Sequence, residues 1–116
     1  MLSLKDLKKG KYYKYEVRYE GYYAITVFRH ENVFIDSEDE STAYILCNNV
    51  AHIFNEHIAF NYLDFSIKDY ILKLNSFNEK MKLISFLSKR DYYSIVRLFN
   101  RRNSNGTLWF KKREVL

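Results

Sequence analysis

The sequence predicts an α+β protein: an N-terminal three-stranded antiparallel meander packed against three or four helices, with a C-terminal strand. Three observations carry this expectation. Apolar and polar residues alternate from Tyr13 to Tyr19, the period of a half-buried strand. From Ala43 onward the apolar positions recur at helical spacing. The 116 residues include no proline and three glycines, too little linker composition to divide the chain, so 1–116 is expected to be a single compact domain.

The elements follow in order. Residues 3–9 suit a short helical turn stopped by Gly10. In the first strand Tyr13, Tyr15, Val17 and Tyr19 alternate with Lys14, Glu16 and Arg18. Glu20-Gly21 then forms a two-residue turn, because glycine tolerates the positive φ that tight hairpins need. Residues 22–29 are rich in aromatic and β-branched side chains and form the second strand. After the polar break His30-Glu31-Asn32, residues 33–36 form the third.

The period then changes. Ser37 and Glu40 match a capping box, and Glu38, Asp39 and Glu40 put negative charge at the positive end of a helix dipole. Ala43, Leu46, Cys47, Val50, Ala51 and Phe54 make the apolar stripe of an amphipathic helix over 38–57. A second helix is expected over 66–74 and a third after Ser76, which pairs with Glu79 as another capping box. Residues 91–101 suit a helix with the stripe Tyr92, Ile95, Val96 and Phe99, although the Asn105-Gly106 turn would also suit a hairpin there. A last strand follows at 107–112. The expected core includes Tyr15, Val17, Ile25, Val27, Leu46, Val50, Phe54, Ile84, Ile95 and Trp109.

Composition narrows the function classes. Phe, Tyr, Met, Ile, Asn and Lys outnumber Gly, Ala, Arg and Pro by 53 to 14, the bias of AT-rich coding, which fits a low-GC bacterium or one of its phages. No apolar run has the length of a signal core or a membrane span, so the cytoplasm, its own or a host's, is the expected compartment. One cysteine excludes an internal disulfide and a multi-Cys zinc site. Cys47 lies within an apolar stripe among acids, the setting of an inert core thiol rather than a nucleophile. His52 and His57 are five apart, which on a helix turns the second roughly 140° from the first, at about 100° per residue. No metal, no cofactor and no catalytic residues are expected, and the protein is not expected to be an enzyme.

The remaining signal is charge. Net charge is +5, sorted along the chain. Residues 1–18 carry six bases against two acids, 19–72 two bases against nine acids, and 73–116 eleven bases against three acids. The basic ends interleave with aromatics: Lys8, Lys9, Lys11, Tyr12, Lys14 and Arg18 at the start, and Tyr92 and Trp109 among the bases at the other end. Nucleic acid calls for this mixture, cations for phosphate and planar groups for unstacked bases. The expected nucleic-acid contacts are Lys89, Arg90, Arg97, Arg101, Arg102, Asn103, Lys111, Lys112 and Arg113. Arginine is not favoured by AT-rich coding, so its concentration near the C-terminus weighs more than the lysines do.

The expected function is therefore a small binding protein, of phage accessory or counter-defence type, contacting nucleic acid or a nucleoprotein complex through its basic C-terminal surface. The alternative is a protein–protein inhibitor or adaptor that presents Glu38, Asp39 and Glu40 on the acidic helix 38–57 to a basic groove of a host protein. A homodimer fits the surplus of large aromatics, and no membrane contact is expected.

Overall fold

A computed structural model describes residues 2–19, 22–56, 61–66, 68–104 and 110–114; at 19, 22–23, 54–56, 61–66, 98–104 and 110–114 it describes the backbone alone. Among these residues seven strands form one sheet. They are β1 (Tyr12–Tyr19), β2 (Tyr22–Ile35), β3 (Ala43–Glu56), β4 (Asn61–Ser66), β5 (Tyr70–Leu74), β6 (Ile84–Leu87) and β7 (Phe110–Glu114). The helices are α1 (Phe77–Lys80) and α2 (Lys89–Ser104), with short 3-10 turns at Leu4–Asp6 and Met81–Leu83. The spatial order is β6-β1-β2-β3-β4-β7, with β5 beside the first half of β3. Every pair is antiparallel except β4 with β7.

This overturns the α+β expectation of a three-stranded meander under three or four helices. The hairpin β1–β2 forms as expected, with Tyr19 opposite Tyr22; Glu20 and Gly21 lie outside the described residues. His30-Glu31-Asn32 is not a turn, however. It lies inside β2, where the register with β3 slips by one residue between His30 and Asn32, so 33–35 continues β2 instead of starting a third strand.

The expected helix 38–57 is β3. Its pattern misleads because a bulge changes the phase of alternation midway. Ala43, Ile45 and Cys47 are buried on one face. Asn49 then takes the left-handed conformation (φ 49°) and inserts one extra residue between the registers Val27↔Ala51 and Arg29↔Asn48. Beyond it Val50 is buried on that face while Ala51 and Ile53 are buried on the other. A central strand buried on both faces, shifted once, places apolar residues at spacings of three and four. Of the expected helix 66–74, residues 70–74 form β5, and the one expected after Ser76 shrinks to α1, whose Ser76 makes no side-chain cap bond. Residues 89–104 are helical, and the last strand is β7.

Two cores result, one on each face. On the first, Tyr13, Phe28, Ile45, Cys47, Val50, Leu74 and Ile84 pack beneath Leu7 and Met81, which come from the N-terminal segment and the 3-10 turn before β6. On the second, Tyr12, Val27, Ala51, Ile53 and Leu87 meet Tyr92 and Val96 of α2. Of the expected core, Val27, Val50 and Ile84 are buried, whereas Tyr15, Val17, Ile25, Leu46 and Ile95 are half-buried. The Phe54 side chain and Trp109 lie outside the described residues.

Candidate nucleic-acid interface

Along β1, Tyr12, Lys14, Glu16 and Arg18 share the second face, as strand alternation requires. Glu16 lies between two cations, with Arg18 Nη2 at 2.6 Å and Lys14 Nζ at 3.7 Å. β6 pairs with β1 so that Ser85 stands opposite Lys14, and the 3-10 turn that feeds β6 brings in Lys82. An open cleft of about 420 Å³ forms there, lined by Lys14, Glu16, Val17 and Arg18 of β1, Lys82 and Leu83 of the turn, and Ser85 of β6. Three cations surround one carboxylate, so the cleft carries a positive balance suited to an anion.

α2 adds a basic flank. Tyr92 and Val96 face the core, while Lys89, Arg90, Tyr93 and Arg97 are exposed. At about 100° per residue, Lys89, Arg90 and Arg97 lie within roughly 60° of Tyr93 around the helix axis. Tyr93 in turn touches Tyr12, with ring centroids 6.2 Å apart. The basic flank of α2 is therefore the one turned toward β1, and Tyr12 stands two residues before Lys14 on the same strand face. Burial, together with hydrogen bonding to Tyr93, raises the Tyr12 phenol above its ordinary pKa, so it stays protonated beneath Tyr93.

The nine residues expected to contact nucleic acid are divided between two elements, α2 and β7. Lys89, Arg90 and Arg97 are exposed on α2. Arg101, Arg102 and Asn103 occupy its last turns. Lys111, Lys112 and Arg113 lie on β7, at the opposite edge of the sheet from β6, so α2 runs from the cleft side of the sheet to the β7 side, where it contacts that strand. The pairing of β1 with β6 brings the N-terminal bases Lys14 and Arg18 together with Lys82. Sequence reasoning missed Lys82 and Ser85, because a helix was expected there, and named Tyr92 where Tyr93 is the exposed ring. Tyr92 is 1% exposed; the helical stripe that joins it to Val96 was the signal that separates the two.

The acidic alternative loses its scaffold. Glu38, Asp39 and Glu40 stand in the turn between β2 and β3, not at the start of a helix. Asp36 accepts from the Glu38 amide and the Tyr44 hydroxyl. Asp39 accepts from the Ser41 amide and hydroxyl and from the Thr42 hydroxyl. These bonds hold both carboxyls below their ordinary pKa, and they explain Asp36 and Asp39 as turn chemistry.

Cys47 is buried and donates to the Tyr70 carbonyl at 3.5 Å, and burial pushes its thiol up to about 12, the condition of an unreactive thiol. Among the described residues no three His, Cys, Asp or Glu gather as a metal site, and no helix is long and apolar enough to cross a membrane. No protein-family model, curated protein or solved structure matches the chain.

Proposed function

We propose that the protein is a small binding protein that holds nucleic acid, free or within a nucleoprotein complex, against the cleft between β1 and β6 and the adjoining basic flank of α2. One observation carries this reading: bases that are far apart in sequence, Lys14 and Arg18 against Lys82, converge on one cleft. Beside it the exposed ring of Tyr93 sits among Lys89, Arg90 and Arg97. Cations at this cleft answer phosphates, and an exposed ring between cations answers an unstacked base. Such a role belongs in the cytoplasm, of the protein's own cell or of a host.

The test is fluorescence-anisotropy binding to single- and double-stranded DNA and RNA over a range of salt. The expected result is affinity that falls steeply with salt. Lys14→Ala, Arg18→Ala and Lys82→Ala should each make that slope shallower by about one, because each removes one phosphate-binding cation. Absence of binding at low salt, or binding indifferent to all three substitutions, overturns the reading.

A further inference from the structure

Away from the cleft, the sheet has an unpartnered side. β5 is hydrogen-bonded to β3 on one edge, and among the described residues no strand pairs with the other. Apolar side chains of the second face are also exposed here among the described residues. α2 meets β3 at Asn49, whose carbonyl accepts from the Tyr92 hydroxyl. Beyond that point Ile71 is 53% exposed and Phe34 49% exposed, with Phe34 stacked on Tyr44 at 5.3 Å. A strand edge beside an exposed apolar face is a template for another strand.

The charges along this edge choose the partner. On β5, Ile71 and Lys73 point to the second face, opposite Leu46 and Tyr44 of β3, and exposed Asp69 lies one residue before the strand. Asp69 and Lys73 are thus equidistant from Ile71. Alone, Lys73 would guard the edge against pairing. Set antiparallel against its own copy about a two-fold axis at Ile71, the same segment meets its complement. Ile71 then faces Ile71, Tyr70 faces Leu72, and Lys73 faces Asp69 twice over. Sliding the axis to Lys73 would put lysine on lysine, so charge selects the register as well as the partner. We infer that β5 is a self-association edge, through which two copies of the chain join their sheets antiparallel about Ile71. An isologous contact of this kind closes on itself and stops at two.

Sedimentation equilibrium of nuclease-treated protein, from low to high micromolar concentration, tests this. Dimers are expected. Lys73→Asp or Asp69→Lys sets like charges opposite each other at both ends and should weaken the dimer by roughly tenfold or more. The double reversal Lys73→Asp with Asp69→Lys should restore it. Both side chains are exposed, so circular dichroism should show every variant folded. A monomer at all concentrations, a dimer that survives either single reversal, or a double reversal that fails to recover the dimer would each overturn the inference.

Discussion

The Tyr92 hydroxyl donates to the Asn49 carbonyl across 2.6 Å, joining α2 to the bulge of β3. The bond has a structural cause. At the bulge the β2–β3 register breaks, which leaves backbone polar groups without a ladder partner. Tyr92 is 1% exposed and packs tilted against Tyr12, with ring centroids 4.3 Å apart, so its ring fills the second-face core while its hydroxyl satisfies the bulge. One side chain thus fixes both the position of the helix and the phase of the strand.

Tyr92→Phe keeps the ring and removes the donor. It should destabilise the fold by about 1–3 kcal/mol, the cost of leaving a buried carbonyl unpaired. Tyr92→Ala removes the packing as well and should cost about 3–5 kcal/mol. Urea unfolding followed by circular dichroism measures both, and a Phe variant as stable as the parent would show that water replaces the hydroxyl.

Asn49 holds a left-handed conformation, which asparagine and glycine tolerate and β-branched residues resist. Asn49→Gly should therefore change stability little. Asn49→Val should cost about 1–2 kcal/mol or more from the strained backbone. The same unfolding measurement decides it: equal stability for the two variants would mean that the bulge can move.

His30 makes stability depend on pH. It is 3% exposed, its Nδ1 has no hydrogen-bond partner, and the Tyr13 ring meets it edge-on at 6.3 Å. Cys47 stands opposite on β3, and Glu31 follows in sequence. Burial outweighs the attraction of Glu31 and lowers the His30 pKa below its ordinary value. The unfolded chain therefore binds this proton first as the pH falls. The contribution of His30 is complete above about pH 6.5 and is lost as pH drops from there through the lowered native value. Unfolding free energy measured between pH 7.5 and 4.5, at about half-unit steps, should decline less steeply in His30→Gln than in the parent; parallel curves would refute the assignment.

How much of this was legible in the sequence follows from where two signals overlap. The first hairpin was readable, because Tyr13 to Tyr19 alternate without interruption and 22–29 is rich in aromatic and β-branched residues. β3 was not, because burial on both faces removes the polar alternation and the Asn49 bulge shifts what remains toward helical spacing. The acids at 38–40 deepened the error, since Asp and Ser serve turns and helix starts with the same hydrogen bonds. At the candidate site, the bases of α2 were readable as charge, but the cleft was not. Lys82 comes to Lys14 only through the β1–β6 pairing, a contact between segments about 70 residues apart that no local pattern records.

The doublet Tyr92-Tyr93 separates stability from binding. Tyr92 lies in the core, whereas Tyr93 is 41% exposed on the basic flank of α2, with its ring 5.1 Å from that of Tyr92. Tyr93→Ala removes a ring at the rim of the core and its hydrogen bond to Tyr12, so unfolding free energy should fall by about 1–2 kcal/mol, less than for Tyr92→Ala. On the basic flank, the same substitution should weaken single-stranded nucleic-acid binding by about 1–3 kcal/mol, the worth of one stacked base. The salt dependence should stay the same, because every cation remains in place. Tyr93→Trp should retain binding, since indole offers a larger stacking face. Anisotropy titrations at two salt concentrations distinguish the outcomes. A Tyr93→Ala protein that binds as tightly as the parent would leave phosphate contacts as the sole attraction of this surface, and single strands should then hold no advantage over duplex.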